Sequence, residues 1–268
     1  MKTMFLKAVL PTPILNTENF EFVFGGSRAS LPFDGQGLVR QLEAIAFPGT
    51  IFHVVREHKN GIYEVRTSAY PASCKLFIDK RFVAKSSGNA VFSPFCPEVE
   101  KVQIHLFSLL GVPYIWGGNY SSGIQEMLAF YPPKKSLNEI ERRNWIFQGV
   151  DCSGLIYEAT CGFTPRNASW IANFGQPAPI SEEKHIMDHI LPLDAIIFRE
   201  KSGGYHILFS LDAKRSIESR EGKGVVVEDM QKRIQEISET KKLTKEWDHK
   251  ADTFIIRRWH PKLISNAK

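Results

Sequence analysis

The sequence predicts an α+β protein of two unequal domains. A length of 268 residues is enough for one large domain and a small accessory module. From about residue 30 to 95 the chain shows short apolar runs separated by turn signals, which indicate β-structure. After residue 96 the apolar period becomes helical, and strands follow the helix instead of alternating with helices. We therefore predict domains at residues 1–95 and 96–268.

The first domain is predicted to be a small β module. The apolar runs 51–55 and 62–65 flank Asn60-Gly61, a dipeptide typical of tight hairpin turns. Small polar residues at 86–89 indicate a linker or surface loop before the second domain.

The second domain is predicted to begin with a helix. Its apolar residues recur at helical spacing up to Gly111, a suitable helix terminator, and are Val99, Val102, Leu106, Leu109 and Leu110. Another helix is predicted to open at Asp151. Strands are predicted at 195–198, 206–211 and 253–256, and a further helix at 228–240.

Composition argues against several classes of protein. Hydrophobic residues make up 43% and charged residues 24%, as is ordinary for a folded globular protein. The net charge of +5 comes without a nucleic-acid-binding motif, so no nucleic-acid partner is expected. No apolar stretch is long enough to span a membrane. His185 and His189 stand four residues apart, but no third ligand is indicated and we expect no metal site.

The residues best suited to chemistry are Cys152 and His206. Asp151 occupies a predicted helix N-cap, so Cys152 would lie in the first turn, where the helix dipole favours a thiolate. His206 begins an apolar strand and could act as the base, while Glu218 could hold its second ring nitrogen from an adjacent strand. Judged singly, each has a plainer interpretation, namely a buried small thiol, a surface histidine and a solvated glutamate.

Three ordered motifs strengthen the chemical interpretation. The first is Tyr114-Ile115-Trp116-Gly117-Gly118 followed by Asp151-Cys152-Ser153-Gly154-Leu155, the second is 191–198, and the third runs from His206 to Glu218. Together they resemble the NlpC/P60 family of papain-like cell-wall peptidases over about residues 96 to 225. The segment before them, from residue 41 through the Asn60-Gly61 hairpin, resembles a bacterial SH3-like β-barrel domain.

The resemblance implies a cysteine endopeptidase in which Cys152, His206 and Glu218 are catalytic. The expected reaction is hydrolysis of the bond between γ-D-glutamate and an L-diamino acid, expected to be diaminopimelate, in peptidoglycan stem peptides or muropeptides. Further residues are expected to bind the substrate, and these are Asp151, Ser153, Tyr114, Trp116 and Tyr63. Asp151 and Ser153 would hold a free amino terminus, although Asp151 is equally suited to a plain helix cap. No cofactor and no membrane partner are implied, and a monomer is expected.

Three features depart from the family pattern. Glu218 stands where histidine or another polar residue is usual, so a carboxylate would orient His206. Leu193 replaces the usual glycine of the second motif, and an altered turn is expected there. About thirty residues separate Gly118 from Asp151. We hypothesise that this insertion forms a lid beside the substrate groove that favours small soluble muropeptides.

Two other functions and a second location stay open. A related thiol acyltransferase or amidase could use the same residues, and a peptidoglycan-binding protein could carry a degenerate catalytic domain.

The first apolar run resembles a signal peptide but is interrupted at Lys7, Pro11 and Pro13. The four cysteines form neither a metal-type pair nor a disulfide framework. A cytoplasmic location is therefore expected, with the periplasm as the alternative.

Overall fold

The structure, a computed structural model, describes residues 4–24, 30–87, 94–200 and 203–265. Part of the predicted linker, residues 88 and 89, lies outside the described residues. The chain divides into two compact units. The first comprises Met1–Pro94 and Ile115–Asp151, and the second comprises Phe95–Tyr114 and Cys152–Lys268.

The described residues form strands, α-helices and three short 3-10 helices. The strands are β1 (Phe5–Ala8), β2 (Thr12–Leu15), β3 (Leu42–Ala46), β4 (Ile51–Glu57), β5 (Ile62–Arg66), β6 (Leu76–Asp79), β7 (Val83–Ser86), β8 (Asn119–Tyr120), β9 (Gly149–Val150), β10 (Gln176–Pro177), β11 (Ala195–Arg199), β12 (Tyr205–Ser210), β13 (Arg215–Arg220), β14 (Gly224–Asp229), β15 (Lys242–Leu243) and β16 (Thr253–Arg258). The α-helices are α1 (Phe20–Val23), α2 (Val99–Ser108), α3 (Met127–Phe130), α4 (Glu139–Trp145), α5 (Gly154–Ala159), α6 (Ala168–Ile171), α7 (Ile186–His189), α8 (Met230–Ser238) and α9 (Pro261–Ser265). The 3-10 helices are Lys59–Gly61, Lys80–Phe82 and Glu183–His185.

The first unit is built on a seven-stranded antiparallel sheet. Its strand order is β3-β2-β6-β5-β4-β1-β7. The predicted hairpin is confirmed, because β4 pairs with β5 and places His53 opposite Arg66. Asn60, in the connection between these strands, takes the positive φ of 64° that asparagine tolerates better than most residues. An antiparallel sheet of short strands is consistent with the predicted SH3-like domain.

Residues 119–150 are an integral part of this first unit. Buried apolar side chains of the segment share one cluster with residues of the sheet, and they are Ile124, Met127, Trp145, Ile146 and Phe147. The side-chain amide of Asn119 accepts from the backbone N–H of Ile45 and donates to its carbonyl, both at 2.8 Å. The short helix expected near 137–145 is α4, which begins with a capping box between Asn138 and Glu141.

The two units therefore differ from the predicted domains in one segment. Residues 115–151 were predicted to belong to the domain at 96–268, but they lie in the first unit. The physical reason is their apolar content: Trp145 and Phe147 are almost completely buried in the core of that unit. The lid hypothesis for the insertion stays untested.

The second unit combines helices with a largely antiparallel sheet. Its strand order is β10-β16-β11-β12-β13-β14, and β15 alone pairs parallel, with β16. Helix α8 covers part of one sheet face through Met230, Ile234 and Ile237, which pack with strand residues in one buried cluster. The predicted helix starting near residue 99 and the three predicted strands are confirmed. This arrangement is the expected α+β class.

The turn before β11 contains an unusual backbone conformation. Leu193 has a φ of 67°, in the left-handed region that favours glycine. The leucine thus adopts a backbone conformation that glycine adopts readily, and the expectation of an altered turn stays a prediction. The side chain of Leu193 is buried, and its N–H donates to Ser210 O at 2.7 Å. Packing and this hydrogen bond offset the steric cost of the leucine.

Among the described residues, no helix combines the length and the hydropathy needed to span a bilayer.

Candidate active site

Cys152 lies immediately before helix α5. The helix begins at Gly154 with Ser153 as its N-cap, so the predicted start at Asp151 is two residues too early. The carboxylate of Asp151 accepts from the N–H of Gly117 at 3.1 Å, a contact within the first unit. Every residue of α5 is buried, which fixes the backbone that presents the sulfur.

The Cys152 thiol lies beside the first residues of strand β12. Its Sγ atom is 3.8 Å from the carbonyl oxygen of Tyr205, the residue before His206. His206 is buried, and its interaction with the Cys152 thiol is among the causes that raise its pKa. The predicted nucleophile and base are therefore brought together within one unit, as nucleophilic catalysis requires.

Glu218 approaches the same imidazole from the neighbouring strand. Strands β12 and β13 pair antiparallel, with Phe209 opposite Ile217, which places Glu218 next to the residues that follow His206. Oε2 of Glu218 is 2.5 Å from Nε2 of His206, and Glu218 is completely buried. Because Nε2 is engaged by the carboxylate, Nδ1 is the ring nitrogen left to act on the thiol.

Arg233 is a further member of the cluster that the sequence reasoning missed. Its Nε and Nη2 atoms donate to Oε1 and Oε2 of Glu218 at 2.7 and 3.2 Å. A signal was present in the sequence, because residue 233 falls three after Met230 and four before Ile237, both on the buried face of α8. A charged residue at such a position needs a buried partner of opposite charge.

The cluster stabilises its charged forms. Burial by itself would lower the pKa of His206, but hydrogen bonds to Cys152 and Glu218, and the negative charges of both, raise it to about 10. Burial would likewise raise the pKa of Glu218, but hydrogen bonds from His206 and Arg233, and their positive charges, lower it to about 2. An imidazolium held between two anions can form an ion pair with a thiolate and later donate its proton.

These two pKa shifts predict how the stability of the protein depends on pH. Glu218 contributes stability above its unfolded pKa of about 4.3 and loses it as the pH falls towards 2, whereas His206 contributes below about 6.5 and loses it as the pH rises towards 10. The difference in melting temperature between wild type and Glu218→Gln should therefore be largest between about pH 4.5 and 6.5. Calorimetry from pH 3 to 10 tests this. A difference that does not vary with pH would contradict the assignment.

The predicted substrate-binding residues have diverse surroundings. Ser153 accepts from Nη1 of Arg166 at 3.2 Å, and Arg166 is itself almost fully buried. Trp116, in the first unit, lies under the guanidinium of Arg40, whose Cζ atom is 4.1 Å from the ring centroid.

The two predicted tyrosines are both half-buried. Tyr63 is in β5 of the first unit, opposite Ile78 of β6, and Tyr114 belongs to the second unit. Substrate binding by these two residues, and by Asp151, Ser153 and Trp116, stays a prediction.

Among the residues that the structure describes, no three His, Cys, Asp or Glu side chains are grouped so that they could hold a metal ion. The rings of His185 and His189 are 6.2 Å apart and stand edge to face.

Comparison with known protein families identifies the part of the chain that carries this cluster. The NlpC/P60 family matches residues 111–242, which include Cys152, His206, Glu218 and Arg233. This segment of the chain is similar to the NlpC/P60 family. No curated protein sequence matches the chain.

Several solved structures are similar to this chain. An NlpC/P60 family protein from Bacillus cereus is 17% identical, with a TM-score of 0.38, and the match covers 97% of this chain and 64% of that one. The P60 domain of an antigen from M. avium subspecies paratuberculosis is 27% identical, with a TM-score of 0.34 and coverage of 49% and 85%. The peptidoglycan hydrolase RipB from Mycobacterium tuberculosis is 24% identical, with a TM-score of 0.36 and coverage of 60% and 63%. The chain thus spans less than two thirds of the B. cereus and RipB chains.

Proposed function

We propose that the protein is a cysteine peptidase that cleaves peptidoglycan stem peptides between γ-D-glutamate and an L-diamino acid. The observation that carries this proposal is the buried cluster of Cys152, His206 and Glu218 inside the segment that matches the NlpC/P60 family. A thiol beside an imidazole, with a carboxylate on the second ring nitrogen, suits acyl transfer through a thioester.

The proposed reaction has two stages. His206 takes the proton of Cys152, and the sulfur attacks the γ-glutamyl carbonyl carbon, forming a tetrahedral oxyanion that backbone N–H groups near Cys152 stabilise. The oxyanion collapses to a thioester as His206 donates its proton to the departing amine of the diamino acid. Water, deprotonated by His206, then attacks the thioester and releases the γ-D-glutamyl carboxylate and the free thiol.

Glu218 supports both stages by stabilising the imidazolium. Its 2.5 Å contact with Nε2 fixes the orientation of the ring, so that proton transfer takes place at Nδ1. Because the carboxylate is completely buried, its charge acts through a medium of low polarity, which strengthens the interaction.

Substrate recognition is proposed to use the residues beside the nucleophile. A carboxylate at Asp151 could pair with the ammonium group of a free amino-terminal L-alanine, and Ser153 could hydrogen-bond to the same end of the peptide. We also propose a cytoplasmic location, where small muropeptides would be the substrate. The four cysteines are free, as expected for a reducing compartment.

The proposal is tested with L-Ala-γ-D-Glu-diaminopimelate, supplied with a free or an acetylated amino terminus. Mass analysis should show L-Ala-D-Glu and diaminopimelate from the free peptide, and at least about ten-fold slower cleavage of the acetylated one, because acetylation removes the ammonium charge. The lysine-containing peptide, run in parallel, compares the two diamino acids. If no peptide is cleaved, the proposed reaction is wrong. Transfer of the acyl group to added amines in preference to water would instead identify an acyltransferase.

A further inference from the structure

We propose that Arg233 is a positioning residue: its guanidinium holds both carboxylate oxygens of Glu218 and thereby keeps the imidazole of His206 aligned with Cys152. The inference rests on the proposed use of Cys152 and His206 as a reacting pair. It does not depend on which peptide the protein cleaves.

The contact between Arg233 and Glu218 is a two-point fork. Nε donates to Oε1 at 2.7 Å and Nη2 donates to Oε2 at 3.2 Å. A planar guanidinium that binds both oxygens of a carboxylate restricts its rotation, which a single hydrogen bond cannot do. The plane of the Glu218 carboxylate is therefore set by Arg233.

The same two-point contact determines the orientation of the His206 ring. Oε2 of Glu218 accepts from Arg233 and also contacts Nε2 of His206 at 2.5 Å. Any rotation of the carboxylate that broke the fork would also move Oε2 away from the ring. The ring of Phe198 packs beside both residues. Its centroid is 5.4 Å from that of the His206 ring and 5.8 Å from Cζ of Arg233.

Arg233 projects from helix α8, whose position is fixed by packing and by an N-terminal cap. Met230, Ile234 and Ile237 anchor the helix in a buried cluster, and the side chain of Asp229 caps its first turn by accepting from Lys232 N at 2.8 Å. Arg233 thus reaches Glu218 from a rigid element rather than from a loop.

The other charged groups around the cluster do not duplicate this contact. They are Arg220, 3.9 Å from Glu218 Oε1 and 3.6 Å from Glu228; Glu236, 3.0 Å from Arg233 Nη1; Glu200, 4.0 Å from His206 Nδ1; and Lys241, 5.6 Å from the Phe198 centroid. Arg220 is too distant for a hydrogen bond and is shared with Glu228. Without Arg233, the buried carboxylate would keep His206 as its main partner.

The rate at which iodoacetamide alkylates Cys152, followed by site-resolved mass spectrometry across pH, tests the role of Arg233 on the full chain without a peptide substrate. In Arg233→Gln the acid limb of the plot of alkylation rate against pH should move to higher pH by about one unit or more. The maximal alkylation rate should fall about ten-fold. The reason is that Glu218, left with fewer donors, is protonated more readily and then supports the imidazolium less. Arg233→Lys, which keeps the charge without the fork, should fall between wild type and Arg233→Gln.

Arg220→Gln is the matched control and should leave the profile unchanged. A wild-type profile for Arg233→Gln, or an equal shift for Arg220→Gln, would overturn the proposal. If Arg233→Gln does not fold, the double variant Glu218→Gln/Arg233→Gln is measured in its place. Its alkylation profile should show no shift beyond that of Glu218→Gln. A further shift would also overturn the proposal. The expected alkylation profiles together with uncleaved peptides would disprove the proposed substrate and leave this inference standing.

Discussion

Replacing Cys152 with serine is expected to abolish hydrolysis of L-Ala-γ-D-Glu-diaminopimelate, with a fall in kcat of about 10,000-fold or more. A serine hydroxyl is a far weaker acid than a thiol, so His206 cannot convert it into a comparable nucleophile. The two side chains are close in size, and the buried position before α5 should accept serine without loss of the fold. Initial rates of diaminopimelate release measure the effect.

Cys161→Ser is the matched control for this variant. Cys161 lies in the same unit, is free and exposed, and belongs to the turn that follows α5. It should retain wild-type kcat and KM. Binding of the intact peptide to Cys152→Ser, measured by calorimetry, should stay within about three-fold of the wild-type KM. Substantial hydrolysis by Cys152→Ser would disprove the assigned nucleophile.

The second large effect is expected from Glu218→Gln, which should reduce kcat by about 100- to 10,000-fold with little change in KM. The amide cannot stabilise the imidazolium as the carboxylate does, and it removes the buried one of the two carboxylates that Arg233 binds, leaving Glu236. Breaking a buried ion pair in this way should also cost about 3–5 kcal/mol in the free energy of unfolding. Steady-state kinetics and urea denaturation measure the two effects.

The pH profile of Glu218→Gln provides an independent check. With its pKa raised to about 10, His206 should remain cationic in the wild type well above neutral pH. Without the carboxylate, the alkaline limb of kcat/KM should move down towards the ordinary histidine value of about 6.5. Glu228→Gln, which alters a glutamate on the adjacent strand β14 bound to Arg220 and Lys223, is the control and should keep the wild-type profile. An unchanged alkaline limb in Glu218→Gln would show that Glu218 does not act on His206.

Much of the fold could be predicted from local patterns. The hairpin around Asn60 follows from a turn dipeptide between two apolar runs, and α8 follows from apolar residues at helical spacing. Short-range rules failed at Asp151. The residue looks like the N-cap of a helix, but α5 begins at Gly154 with Ser153 as its N-cap, and the carboxylate of Asp151 accepts from the N–H of Gly117, 34 positions earlier in the chain. A capping residue and a carboxylate in a long-range hydrogen bond have the same local sequence pattern.

Most of the candidate site could also be predicted from the sequence. Cys152, His206 and Glu218 lie in ordered motifs, and the structure brings all three together through the pairing of β12 with β13 and the start of α5. Arg233 belongs to no such motif. Its partner is fifteen residues away on another element, and an arginine on a helix is exposed more often than buried.

By itself, the sequence determined the order of the elements and predicted the proposed reacting pair, because the elements require particular local periods and the proposed chemistry requires particular residue types. Only the tertiary structure decided three further points: Arg233 binds Glu218, Asp151 accepts a hydrogen bond from Gly117, and residues 115–151 pack with the first sheet. The physical reason is the same in each case. Burial removes these groups from water and makes them take partners that the fold supplies from distant positions, which a local pattern does not specify.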